Sequence, residues 1–200
     1  MRRRPAAALL ALALALGCAR RAALPTPESP QTRAPDLTGR TVMVLPAQPV
    51  GSIASTTVQA FDAEAAYWLG DRGARVRWKF PRQLEQSLTT AGGLDIDLHN
   101  LAVGDFRGMR LRRIGDPLFG DLRRLGALVD ARYALLPTSL AYVPPPAGQT
   151  QGRVEVAAAL VDTMGGDVVW FGVLAGERGP EDDRATAATA ARALARAVVP

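Results

Sequence analysis

Two aspartates and the only histidine of the chain occupy alternate positions, as Asp95, Asp97 and His99. In an extended segment, alternate side chains point to one face, so two carboxylates and an imidazole would meet there. Such a set suits a divalent cation and would support a metal-dependent hydrolase. The alternative is a polar edge strand or loop in which Ile96 and Leu98 turn inward. No partner set for general acid–base catalysis accompanies the three residues.

A run of arginines follows shortly after these residues. Guanidinium groups at this density would suit anionic lipid headgroups, lipopolysaccharide or an acidic partner. The alternative is a solvated face whose charge is offset by Asp105, Asp116 and Asp121. The possible anionic-ligand patch consists of Arg107, Arg110, Arg112, Arg113, Arg123 and Arg124.

Motifs for nucleophilic or nucleotide chemistry are missing from the sequence. There is no Gly-x-Ser-x-Gly and no phosphate-binding loop, and no nucleophile motif surrounds Ser52, Ser55 or Ser139. The three tryptophans are expected in the core rather than as anchors of an interface. We therefore predict a protein that is not an enzyme, with no cofactor and no resident metal.

Composition limits the remaining classes. The 200 residues fit one domain, and 48% hydrophobic residues suffice for a core. Without Arg2, Arg3 and Arg4 the chain has 21 basic and 19 acidic residues, which is too even to indicate nucleic-acid binding. The single cysteine excludes an intrachain disulfide.

The amino terminus has the layout of an export signal. Three arginines precede an apolar run over 6–16, which is too short to cross a hydrocarbon layer of ~30 Å. The residues Leu14-Ala15-Leu16-Gly17-Cys18 resemble the bacterial lipobox, with Ala15 in place of the usual leucine. That resemblance implies cleavage of a signal peptide over 1–17 and lipidation of Cys18. An ordinary signal peptide with an incidental cysteine, or an uncleaved anchor, is the alternative.

The residues after Cys18 predict a tether. Four prolines among polar residues make 18–39 a flexible Pro-rich segment that cannot bury much apolar area. Ala19 and Arg20 follow the cysteine, and by resemblance to enterobacterial sorting the absence of an acidic residue favours the periplasmic face of the outer membrane. A single globular domain is predicted over 40–200.

Hydrophobic periodicity predicts an α/β (α+β) domain with the order β-α-β-α-(α)-β-β-β-α. It indicates a mixed sheet of about five strands with three to four helices, which cover one face more than the other. Residues 94–115 give no clear pattern. The predicted strands are 41–45, 75–80, 132–143, 152–163 and 168–176, and the predicted helices are 57–69, 81–91, 117–129 and one from Pro180 onward.

The carboxy-terminal half carries a family resemblance. Its residues are Leu125-Gly126-Ala127, Arg132-Tyr133-Ala134-Leu135-Leu136, Val154-Glu155-Val156, Val161-Asp162-Thr163 and Gly165-Gly166-Asp167-Val168-Val169-Trp170. This layout resembles periplasmic lipoproteins with a TolB amino-terminal-like domain, including the CsgG-like curli secretion subunits and the LpoB-like activators of penicillin-binding proteins. The resemblance implies a non-enzymatic envelope component that binds proteins, activates a synthase or assembles into a channel. Insertions long enough for a pore are absent.

The sequence thus predicts a membrane-anchored lipoprotein that serves as an accessory or adaptor of an envelope assembly or secretion machine. Its expected partners are the membrane, through the lipid anchor, and envelope proteins, with a homo-oligomer also possible and no nucleic acid. Two alternatives stay open: the metal-dependent hydrolase at Asp95, Asp97 and His99, and an anionic lipid or polymer-binding module that uses the arginines of 107–124.

Overall fold

The predicted α/β class is confirmed by the computed structural model, which describes residues 33–106 and 111–199. Within these residues the chain forms five strands and four α-helices in the predicted order. The strands are β1 (Thr41–Val44), β2 (Arg77–Lys79), β3 (Tyr133–Val143), β4 (Gly152–Asp162) and β5 (Val168–Gly179), and the helices are α1 (Ser55–Arg72), α2 (Pro81–Ala91), α3 (Leu118–Val129) and α4 (Arg184–Val198), with a short 3₁₀ turn at Gly104–Phe106.

The five strands form one mixed sheet in the order β2-β1-β3-β4-β5. The β1 strand pairs in parallel with β2 and β3, whereas β3, β4 and β5 are antiparallel to their neighbours. Consequently β1, β2 and β3 begin at the same end of the sheet, where β4 also meets β5. The α1 and α4 helices end there too, and the Arg72 guanidinium donates two hydrogen bonds to the Val199 carbonyl.

The first face of the sheet carries α1 and α4. Fully buried Phe61 and Leu69 of α1 and Leu194 of α4 pack there against Leu160 and Trp170 of the sheet. Helix α4 is rich in alanine, and Gly176 of β5 lets it approach closely, since a Cβ at Gly176 would lie 2.8 Å from the Ala190 nitrogen. This face therefore has the larger and tighter core.

The second face carries α2, α3 and the segment that the periodicity left unreadable. Leu98, Val103 and Phe106 of that segment are buried with Leu84 of α2 and Leu122 of α3. Most of this segment has no regular secondary structure, and its apolar residues nevertheless complete the second core. The helices thus lie two on each face, while the coverage is uneven along the sheet.

Local signals explain where three of the helices begin or end. Pro81 opens α2, where the Phe80 amide donates to the Gln83 side chain, and Gly92 with φ +60° ends it. Asp130, in the left-handed region at φ 51°, follows α3. Asp183 caps α4 by accepting a hydrogen bond from the Ala185 amide.

The predicted start of the last helix at Pro180 was wrong. Helix α4 begins at Arg184, so Glu181, Asp182 and Asp183 precede it instead of forming its first turn. The Asp183 carboxylate makes a better helix start than Pro180 because it satisfies an amide of the first turn.

Candidate interaction surfaces

Two residues of the predicted Asp95, Asp97 and His99 set have separate local partners. The Asp97 carboxylate accepts a hydrogen bond from the His99 amide at 3.0 Å, and His99 Nε2 lies 3.3 Å from Glu85 Oε1 of α2. Leu98 is buried and Ile96 is partly buried against the second core, which is the inward orientation of the alternative interpretation. Among residues 33–106 and 111–199, no three His, Cys, Asp or Glu side chains are grouped to hold a metal ion.

The predicted arginine patch is only partly described, because Arg107 and Arg110 lie outside the described residues. Arg113 makes a salt bridge to Asp167 at 3.0 Å, and Arg124 makes one to Asp121 at 2.6 Å. The backbone carbonyl of Arg112 accepts from Val168, which fixes its segment beside β5. Arg123 is exposed on α3. Two of the described arginines of the patch, Arg113 and Arg124, are therefore ion-paired with carboxylates of this chain.

The predicted signal peptide, Cys18 and the first part of the predicted tether also lie outside the described residues. At its other end, the segment assigned to the tether includes Ala34 and Leu37, which are buried against the first core with 7% and 4% exposure. Packing against the domain thus begins several residues before residue 40.

Sequence reasoning missed a partly buried carboxylate near the carboxyl end of β1. The Asp62 carboxylate of α1 accepts from the Ala47 amide at 2.9 Å, and burial raises its pKa to about 6, against a smaller lowering by that hydrogen bond and by nearby His99. Glu85 acts in the same direction as burial. The only signal in the sequence is an aspartate at i+4 from Val58, on the inner border of the apolar face of α1.

Beside this carboxylate, Gln48 joins the β1 end to the irregular segment. Its side chain is 5% exposed, donates to the Pro46 and Leu98 carbonyls, and accepts from the Leu101 amide at 3.1 Å. All the bonds reach backbone groups, so Gln48 has a structural role: it fixes the 98–101 loop.

The outermost strand, β5, is the clearest candidate for an interaction surface. It has 12 residues, lies at the edge of the sheet, and among the described strands pairs only with β4. Its Trp170 and Leu174 face α4 and the first core. Alternate residues face the other way, where Phe171 still stacks on Phe106 with ring centroids 6.2 Å apart.

Beyond Phe171, the described elements leave the second face of the sheet partly exposed. Ser139, Ala157 and Val173 form one row across β3, β4 and β5, and Ala141 and Ala175 lie in the next row on either side of Glu155. Val173 is 64% exposed, Ala175 is exposed, and Ala141 and Ala157 are half-buried. We call Ser139, Ala141, Ala157, Val173 and Ala175 the open sheet face.

One tyrosine holds together the strands that bear the open sheet face. The Tyr142 hydroxyl of β3 donates to the Gly179 carbonyl of β5 and accepts from the Gly152 amide of β4, both at 2.9 Å. Because Gly152 has no side chain, this approach is possible: a Cβ there would meet the tyrosine ring and the Val143 carbonyl. The far end of the sheet is thereby fixed although none of the described helices lies over that part of the second face.

The helices of the described part of the chain include none with the length and apolar character needed to cross a membrane. No protein-family model and no curated protein matches the sequence.

Solved structures similar to this chain include a PelC dodecamer from Paraburkholderia phytofirmans in two crystal forms. The identities are 13% and 16%, the TM-scores 0.48 and 0.45, and the matches cover 86% of this chain and 96% and 93% of those chains. Lipoprotein GNA1162 from Neisseria meningitidis is 17% identical with a TM-score of 0.45, over 70% of this chain and 84% of that one. Identities this low leave the function to be inferred from the residues of this chain.

Proposed function

We propose that this protein is a lipid-anchored, non-enzymatic adaptor of the bacterial cell envelope that binds a partner protein at β5. The observation that carries the proposal is a 12-residue edge strand that, among the described residues, meets Arg112 at its start and otherwise pairs only with β4, beside a sheet face with exposed Val173 and Ala175.

An exposed edge strand offers backbone N–H and C=O groups, to which an extended segment of another protein can add as a further strand. Sheets that avoid such pairing usually shorten or charge the edge. Here the edge strand presents exposed Val173 and Ala175, and its charges are confined to its end, at Glu177, which pairs with Arg192 of α4, and at Arg178. On β3 and β4 the small side chains Ser139, Ala141 and Ala157 leave room for the partner to pack over the sheet, next to Glu155, which pairs with Arg153.

The proposed lipid anchor at Cys18 would hold the protein at a membrane. The lipobox-like Leu14-Ala15-Leu16-Gly17-Cys18 would place acyl chains at the start of a chain that carries no other membrane signal we recognise. Two or more acyl chains anchor a domain stably, since each buried CH₂ contributes ~0.8 kcal/mol. We place the protein at the periplasmic face of the outer membrane, where its partner would be an envelope protein.

Site-specific photo-crosslinking in the native host tests the docking surface. A photoreactive residue replaces Val173 in the full chain, and Tyr67 of α1, which is 62% exposed, is the matched control position. We expect one discrete adduct with a different envelope protein from position 173 and none from position 67.

A charge on the edge should remove that adduct. Val173→Lys adds an unpaired ammonium group where the partner strand would pack, and Tyr67→Lys adds the same charge elsewhere. Crosslinking from a photoreactive residue at Ala175 should be lost in Val173→Lys and kept in Tyr67→Lys. Adducts with a second copy of this chain alone, or adducts equal at both positions, would contradict the adaptor proposal.

A further inference from the structure

A concentration of arginines marks the end of the domain at which the described chain begins. The segments 33–40 and 71–77 contain five arginines and two aspartates, a surplus of three positive charges. The whole chain from Cys18 onward has a surplus of only two. We call Arg33, Arg40, Arg72, Arg75 and Arg77 the basic end.

These arginines share one end of the molecule because of the topology. Arg40 directly precedes β1 and Arg77 opens β2, which pairs in parallel with β1. Arg72 is the last residue of α1 and bonds to Val199 beyond α4. The Arg77 amide also donates to the Arg40 carbonyl, which fixes the two segments side by side.

The opposite end carries charges of both signs, among them the exposed Arg82 and Arg178. There, the connection between β5 and α4 holds Glu181, Asp182 and Asp183. These three carboxylates therefore lie at the end of the sheet away from the basic end.

The basic end is also concave. A cavity of about 450 Å³ lies between the segment 33–38 and the ends of α1 and α4, with Arg33, Arg72 and Arg75 in its lining. Asp36 beside it has a lowered pKa, chiefly through the hydrogen bond from the Thr38 amide, with smaller contributions from Arg75 and Arg40. The ion pairs found among the described residues include none of the five arginines.

From these observations we propose that the basic end is the membrane-facing surface of the protein and binds the phosphates of anionic phospholipid headgroups. The proposal rests on the anchoring at Cys18 proposed above. Only 14 residues lie between Cys18 and Arg33, and this connection spans at most about 50 Å when fully extended. The basic end, where that connection enters the domain, is thus the part of the domain closest to the anchor along the chain, and each arginine near an anionic surface favours contact.

Contact at the basic end determines what faces away from the membrane. Met164, which is 70% exposed in the turn between β4 and β5, lies at the same end and would approach the headgroups. The acidic connection before α4 would point into the periplasm, and β5 would stand roughly upright with its free edge accessible from the side.

Energy transfer to labelled lipid headgroups tests this orientation. The full acylated protein is reconstituted into vesicles of phosphatidylcholine with or without phosphatidylglycerol. A fluorophore is attached through Met164→Cys or, at the other end, through Asp182→Cys; acylation leaves Cys18 unreactive. We expect much stronger transfer from position 164 than from position 182 in anionic vesicles, and a loss of this difference in high salt or in phosphatidylcholine alone.

Charge reversal identifies the surface responsible. The double variant Arg33→Glu/Arg75→Glu should lower the occupancy of the membrane-facing orientation by on the order of tenfold. The matched double variant Arg82→Glu/Arg178→Glu, on exposed positions of the opposite end, should leave it unchanged. Equal transfer from both labels, or transfer that ignores lipid charge, would overturn the proposal, and the latter outcome would favour an acidic protein partner instead. The mass of the same sample reports acylation separately, so failed anchoring is distinguishable from failed orientation.

Discussion

At the scale of single residues, the polar side chains that this fold buries serve its structure. Gln48 was not predicted, because one glutamine after a strand carries no pattern, yet it is among the most constrained polar residues described. The Asp95, Asp97 and His99 set was noticed because its spacing is regular. In the structure, the Asp97 carboxylate accepts a hydrogen bond from the His99 amide, and the His99 ring lies beside Glu85. The regular spacing identified these three polar residues in the sequence. Which groups they contact depends on the path of the backbone, which the spacing does not give.

Replacing Gln48 should destabilise the fold. Gln48→Ala leaves the Leu98 carbonyl and the Leu101 amide without their side-chain partner, and each unsatisfied buried group costs about 1–3 kcal/mol. We expect the free energy of unfolding to fall by about 2–4 kcal/mol in denaturant titrations. The exposed Gln86→Ala on α2 should change it by less than about 0.5 kcal/mol, and an equal effect of both would refute this role.

Asp62 should make stability depend on pH. Its pKa is raised from 3.8 to about 6, so the folded state keeps a proton that the unfolded state releases between these values. The contribution of Asp62 to stability is therefore greatest below about pH 4 and is lost as the pH rises through 6, by at most about 3 kcal/mol.

The variant Asp62→Asn keeps an oxygen for the Ala47 amide and removes the titration. Relative to the wild type, it should gain stability between pH 4.5 and 7.5 in thermal melts, by about 1–3 kcal/mol. Asp95→Asn, at an exposed position, is the control for loss of a carboxylate. A stability difference between Asp62→Asn and the wild type that stays flat with pH would contradict the assignment.

At the scale of elements, the type and order of the helices and strands were predictable and the edges of the sheet were not. Residues 168–175 are apolar at nearly every position, which is typical of a strand covered on both faces. The structure makes this strand the edge of the sheet, with α4 on one face and, beyond Phe171, no helix of the described residues on the other. The open sheet face thus results from the order of the strands in the sheet. The hydrophobic pattern of a single strand does not give that order.

Tyr142 should control the integrity of that far end. Tyr142→Phe removes the hydroxyl that joins Gly152 of β4 and Gly179 of β5, at a cost of about 1–2 kcal/mol. Amide hydrogen exchange should accelerate at the start of β4 and the end of β5 while β1 stays protected. Tyr67→Phe is the control, and uniform exchange changes across the sheet would argue against a local role.

At the scale of the whole molecule, the two proposals concern different surfaces: membrane contact at the basic end and partner binding at the edge of β5. In the orientation proposed above, the basic end faces the membrane, the connection before α4 points away from it, and the edge of β5 lies to the side. The sequence showed a net charge near neutrality and an arginine-rich segment at 107–124. It did not show that arginines of the separate segments 33–40 and 71–77 share one end, which follows from the parallel pairing of β1 with β2.

The account as a whole depends on the protein being held at a membrane by Cys18. Intact-mass measurement of the protein extracted from membranes of its native host tests this most directly. We predict a chain without residues 1–17 that begins at Cys18 and carries the added mass of a diacylglyceryl group, with or without a further acyl chain. A chain that retains Met1, or one with an unmodified Cys18 thiol, would contradict the account.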